Sequence, residues 1–192
     1  MFKTVTAMLM LTLFGYTSEL PEQTDLNLPF DASSENGLVA LAMDSDSGLA
    51  ALSFSRIDPL TCHVTHSATF GDEFSAEGLA GDTHIVEAFE PGVWVVDATT
   101  FISGRERTIT KFEHHTMAFR VKAGQFIQVG KLNLSTSGST IASADLDELK
   151  QYLTEFPEIN AEPITVNPWL TPFSRDTAID VLGCSPLPED YI

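Results

Sequence analysis

Residues 116–134 (TMAFRVKAGQFIQVGKLNL) constrain the fold more than any other part of the chain. Apolar and polar side chains alternate from Met117 to Val121, which is the period of a strand with one buried face. Gly124 interrupts the run and can adopt the positive φ that a tight turn requires, and apolar residues resume after it. The pattern predicts an antiparallel β-hairpin, and therefore a β-rich domain.

Short segments of similar character recur through residues 37–135, with strands expected at intervals of roughly 8–12 residues. Turn-forming runs such as Asp-Ser-Asp-Ser-Gly at 44–48 and Glu-Pro-Gly at 90–92 separate them. This arrangement is typical of a mainly β fold, and we expect an antiparallel β-sandwich of about seven strands over residues 37–135. Residues 18–36 are polar and contain two prolines, which predicts a linker or extended lead-in.

The character of the chain changes after residue 135. Apolar residues recur at helical spacing from Leu146 to Phe156, Asp145 stands in a capping position, and Pro157 follows. The spacing predicts one C-terminal amphipathic helix. Residues 136–192 as a whole are expected to form this helix and an irregular, proline-rich tail packed on the domain.

The N-terminus has the pattern of a secretory signal. Lys3 precedes an apolar run from Val5 to Phe14, which is shorter than the roughly 20 residues that cross a bilayer. We expect residues 1–17 to be a signal peptide, although a buried N-terminal strand or helix is the alternative. The predicted location is therefore periplasmic or secreted.

The chain is strongly acidic, with 27 Asp and Glu residues against 10 Lys and Arg residues and a net charge of −17. This balance argues against nucleic acids and anionic membrane surfaces as partners, because both require clustered cations. No further segment is long and apolar enough to span a membrane, so we expect no integral span after signal cleavage. An envelope protein or a glycan remains as the expected kind of partner.

The chain has two cysteines, Cys62 and Cys184, which are too far apart for a C-x-x-C motif. In an exported protein a disulfide between them is expected. It would close a loop of about 120 residues and stabilise the fold by roughly 4–5 kcal/mol in the chain-entropy account. The alternative is two unrelated buried thiols.

Residues 89–96 (FEPGVWVV) and 119–132 (FRVKAGQFIQVGKL) resemble uncharacterised bacterial exported and envelope proteins with a small prealbumin-like, or carboxypeptidase-regulatory-like, β-sandwich. The resemblance extends over residues 37–156. It implies a fold, a compartment and a helix after the last hairpin, but no catalytic residues. Many of these proteins are lipoproteins, whereas this chain has no lipobox cysteine directly after its apolar N-terminal run.

Histidines suggest one candidate metal site. His63 or His66 could join His115, with Met117 adding a thioether suited to copper, and zinc is the other candidate. Strand geometry opposes the idea, because residues three apart on a strand point to opposite faces. Histidines at the surface or at a strand edge are therefore the expected alternative.

No motif in the chain assigns catalytic residues or a cofactor. A G-x-S-x-G elbow and a glycine-rich phosphate loop are both missing from the sequence. We therefore expect a non-enzymatic, exported binding or interaction module of the bacterial envelope. The alternatives are a copper- or zinc-binding periplasmic protein, a hydrolase of envelope polymers, and a structural subunit of a surface assembly.

Overall fold

The computed structural model describes residues 24–44, 49–59, 63–71, 79, 84–111, 116–135, 138–143 and 145–171. Within these ranges the chain forms eleven strands and one short helix, which confirms the mainly β class predicted from the sequence. The predicted signal peptide (residues 1–17), His115 and both cysteines of the predicted disulfide, Cys62 and Cys184, lie outside the described residues.

Nine strands precede the helix along the described chain, and two short strands follow it. They are β1 (Gly37–Asp44), β2 (Leu49–Ile57), β3 (Val64–Gly71), β4 (His84–Phe89), β5 (Gly92–Ser103), β6 (Glu106–Lys111), β7 (Thr116–Val121), β8 (Phe126–Ser135), β9 (Gly138–Ala142), α1 (Leu146–Leu153), β10 (Ile164–Thr165) and β11 (Trp169–Thr171).

The strands form two sheets. Sheet I has the order β10–β8–β1–β4, with β9 also paired to β8, and sheet II has the order β11–β7–β5–β2–β3, with β6 also paired to β5. Most pairs are antiparallel. Two pairs are parallel, namely β8 with β1 and β8 with β10.

The predicted hairpin at residues 116–134 is wrong in its pairing, although both strands and the turn exist. β7 pairs with β5 and β11 in sheet II, whereas β8 pairs with strands of sheet I. The turn at Gly124, where φ is 64°, therefore carries the chain from one sheet to the other. Val121 and Ile127 then point into the same core from opposite sides. Alternation defines which face of a strand is buried but not which sheet the strand joins.

The main hydrophobic core draws on both sheets. Leu41 and Ile127 contribute from sheet I, and Phe54, Trp94 and Phe119 contribute from sheet II. Aromatic rings meet edge to face at its centre, with centroids 5.2 Å apart for Phe54 and Phe89 and 4.8 Å apart for Phe89 and Trp94. The Trp94 indole nitrogen donates to the Glu90 carbonyl at 2.8 Å, so the ring is buried with its polar atom satisfied.

A further layer covers the outer face of sheet I. Leu149 of α1 is fully buried there with Leu38 and Phe126, and Phe30 packs against Phe126 with ring centroids 6.5 Å apart. Asp145 caps the helix by accepting from the Asp147 amide at 2.8 Å. This layer is made of α1 and the residues just before β1, and two cavities lie along it.

Candidate functional site

A groove of about 600 Å³ lies between residues 24–36 and sheet I. We call residues 24–36 the lead-in and this cavity the lead-in groove. Its apolar lining consists of Leu26, Leu28, Pro29, Phe30, Leu38, Ala88 and Ile159.

Two sets of hydrogen bonds hold the lead-in in place. At its start, the Thr24 amide donates to the Glu87 carboxylate at 2.9 Å, and the Ala88 amide donates to the Thr24 hydroxyl at 2.8 Å. Further along, the Phe30 amide donates to the Glu158 carbonyl at 3.1 Å and the Asn160 amide donates to the Phe30 carbonyl at 2.9 Å. The groove therefore has defined walls on both sides.

The lead-in also contacts the turn that joins the sheets. The Gly124 amide donates to the Asn36 carbonyl at 2.9 Å. A Cβ added at Gly124 would meet the Ala32 carbonyl oxygen at 2.3 Å, so only glycine permits this close approach. The lead-in is thus packed against the domain at its start, its middle and its end.

The chemistry of the groove is apolar with an acidic rim. Leu28 lines the groove with a side chain that is 62% exposed, so it is accessible to a ligand. The exposed residues Asp25 and Glu35 also line the cavity. A ligand that places an aliphatic side chain against Leu28 and cations beside these carboxylates would match this surface.

Glu87 anchors the lead-in from β4, which is an edge strand of sheet I among the described residues. It is only 3% exposed, and burial raises the pKa of its carboxyl, while the hydrogen bonds from Thr24 act in the opposite direction. It lies on the same face of β4 as Ile85 and Phe89, which contact the main core. A charged residue pointing inward on an edge strand disfavours pairing with another strand.

A second cavity, of about 440 Å³, lies between α1 and the start of β4, and we call it the His84 cleft. It is lined by Met43, His84, Lys131, Glu148, Tyr152 and Glu155, among others.

His84 is 7% exposed, and its ring stacks on that of Tyr152 with centroids 5.1 Å apart and an interplanar angle of 30°. Burial lowers the pKa of His84; nearby Glu148 acts to raise it, and Lys131 acts to lower it. Burial in the cleft thus favours the neutral form of the His84 imidazole. His84 and Tyr152 are far apart in the sequence, and no local pattern could have shown that they meet.

The described residues of the predicted metal site do not form a cluster. His63 and His66 are exposed at the start of β3, and the His66 ring lies edge-on to Trp94 with centroids 6.0 Å apart. Met117 is buried in the main core. Among the described residues, no group of three or more His, Cys, Asp or Glu side chains is arranged to hold a metal ion. Because His115 is outside those residues, the copper or zinc site stays a prediction.

Comparisons with protein-family models, with curated proteins and with solved structures find no match for this chain. The likeness to prealbumin-like envelope proteins therefore stays a prediction. In the described part of the chain, no helix has the length and apolar character needed to cross a membrane.

Proposed function

We propose that this protein is an exported, non-enzymatic binding module of the bacterial envelope, and that the lead-in groove is its ligand site. The observation that carries the proposal is a groove of about 600 Å³ with an exposed leucine in its wall and fixed backbone on both sides. Export is supported by the basic and then apolar pattern of residues 1–17, which makes the periplasm or the medium the expected location. The core shared by the two sheets supports a β-sandwich as the scaffold.

The lining of the groove favours a protein segment over a glycan. Among the described residues that line the groove, the one aromatic ring, Phe30, is buried and presents no exposed face on which a sugar ring could stack. Aliphatic side chains make up most of the apolar wall, and they suit the side chains of a peptide in an extended conformation. The proposed partner is therefore a segment of an envelope protein.

Capture with matched variants tests this function. The exported protein carries a tag and either Leu28→Ser or Ile164→Ser. Ile164 is 45% exposed and does not line the groove, so the second variant controls for loss of an exposed aliphatic side chain. We expect Leu28→Ser to lose its captured partner and Ile164→Ser to keep it. Equal capture by both variants would contradict the assignment of the groove.

One feature of the structure, the His84 cleft, supports the alternative that the protein is a hydrolase. A hydrolase that uses histidine as its general base needs an unprotonated imidazole in a cleft, and His84, whose pKa is lowered by burial, lines a cavity of about 440 Å³ together with Glu148. This alternative predicts that purified protein releases fragments from peptidoglycan and that His84→Ala abolishes the release. Absence of release by the unaltered protein would exclude it for that polymer.

The metal-binding alternative depends on His63 or His66 together with His115 and Met117. Because Met117 is buried, the exposed His63 and His66 would have to supply the accessible ligands. It predicts stoichiometric copper or zinc in the purified protein, lost on His115→Ala. Metal content that His115→Ala does not change would count against the site.

A further inference from the structure

The exposed strand β6 carries a positive stripe on a strongly negative protein. All six of its residues are exposed, including Ile109 at 47%. Because side chains alternate along a strand, Arg107, Ile109 and Lys111 share one face, with the two cations roughly 13–14 Å apart. The face thus presents one aliphatic side chain between two cations.

The charge of this region differs from that of the whole chain. Three of the 10 Lys and Arg residues, namely Arg105, Arg107 and Lys111, lie within residues 105–111, where Glu106 is the single acidic residue. The net charge of the chain is −17. An acidic partner surface would therefore be attracted to β6 and repelled by most of the remaining surface.

The lead-in groove has the complementary character. Its apolar wall includes Leu28, and the carboxylates of Asp25 and Glu35 lie at its rim. We propose that the lead-in groove of one molecule binds the β6 stripe of a second copy, with Ile109 against Leu28 and the two cations of the stripe beside the two carboxylates. This inference rests on the proposed function of the groove and names its partner.

The geometry of such a contact has a direct consequence. The stripe and the groove are different surfaces, so each molecule can donate its stripe to one neighbour and accept a stripe from another. A contact of this kind is heterologous and extends head to tail unless it closes into a ring. Net repulsion between two acidic molecules opposes the contact, but at 0.15 M salt the screening length is about 8 Å, so contacting charges act locally.

Sedimentation velocity of the purified exported form tests the proposal with charge-reversal variants. We expect concentration-dependent species larger than a monomer at 0.15 M salt. Lys111→Glu is expected to weaken association by about tenfold or more, because it places like charges together. Lys150→Glu is the matched control, since it makes the same charge change at an exposed position on α1.

A mixing experiment separates this contact from non-specific association. A Lys111→Glu molecule keeps an intact groove, and a Leu28→Ser molecule keeps an intact stripe. Each is expected to be monomeric alone, and an equimolar mixture is expected to stop at heterodimers because each partner has lost its second site. Larger species in the mixture would contradict the contact.

Two outcomes distinguish failure of the partner from failure of the groove. A protein that is monomeric at every concentration, or that responds equally to Lys111→Glu and Lys150→Glu, overturns the second-copy inference. If Leu28→Ser still abolishes capture of a different envelope protein, the proposed function survives that result. If neither self-association nor capture depends on Leu28, both are refuted.

Discussion

Gly124→Ala tests whether the lead-in is packed on the domain, which is the condition for a formed groove. Gly124 has a φ of 64°, and a Cβ there would meet three backbone atoms of Ala32 at 2.3, 2.5 and 2.8 Å. The left-handed conformation costs an alanine about 1–2 kcal/mol. The steric conflict adds to this cost, because the obstructing atoms are backbone and cannot move without displacing the lead-in.

Gly104→Ala is the matched control. Its φ of 62° is nearly the same, but a Cβ added there meets nothing within 4 Å. It therefore carries the conformational cost of about 1–2 kcal/mol alone. If Gly124→Ala detaches the lead-in, the burial of Phe30 is lost as well, which costs a further ~1.5–3 kcal/mol.

Thermal and urea unfolding of the two variants measure the difference. For a chain of this size, 1 kcal/mol corresponds to about 2–4 °C in Tm. Gly104→Ala should lower Tm by about 2–8 °C and Gly124→Ala by roughly twice as much. Partner capture should be lost in Gly124→Ala and retained in Gly104→Ala. Equal losses of stability, with capture retained in both, would refute the packing of the lead-in on this turn.

Other parts of the molecule give four more predictions. Phe54→Ala removes a ring that contacts three other aromatic rings in the main core and should cost about 3–5 kcal/mol in urea unfolding; a loss below about 1 kcal/mol would contradict its central place. Because burial lowers the pKa of His84, the unfolded chain protonates this histidine at a higher pH than the folded protein does. Stability should therefore fall as pH drops below 6.5, and the urea midpoint of His84→Leu should lack this part of the pH dependence. Burial raises the pKa of Glu87, so its ionisation increasingly disfavours the folded state as pH rises above 4.5. The free energy of unfolding of Glu87→Gln should therefore differ less between about pH 5 and pH 8 than that of the unaltered protein. Reduction should add the mass of two hydrogens to the exported protein, because one disulfide joins Cys62 to Cys184. Two free thiols in the mature protein would exclude that bond.

The strands could be predicted from the sequence better than their partners. Alternation around Gly124 identifies β7, β8 and the turn between them, because period-2 patterns are local. It leaves open whether the turn closes a hairpin or crosses between sheets, since Val121 and Ile127 face the same core in either case. Long-range pairing decides the matter, and one sequence does not contain that information.

The candidate site was less accessible to prediction than the fold. The lead-in has the polar, proline-containing composition of a linker, yet Phe30 and the bonds of Thr24 fasten it to sheet I. The stack of His84 on Tyr152 joins the start of β4 to α1. Both arrangements depend on tertiary contacts between distant segments, whereas composition and spacing describe only neighbours in the chain.

Photo-cross-linking from position 28 tests whether the lead-in groove binds a protein segment. A photoreactive phenylalanine analogue replaces Leu28 in one sample and Ile164 in the control, and cross-linked peptides are identified after irradiation of the exported protein in cells. We expect one dominant protein segment joined to position 28, with an aliphatic residue between cations, and no such product from position 164. The same products from both positions, or none from position 28, would contradict a binding role for the lead-in groove.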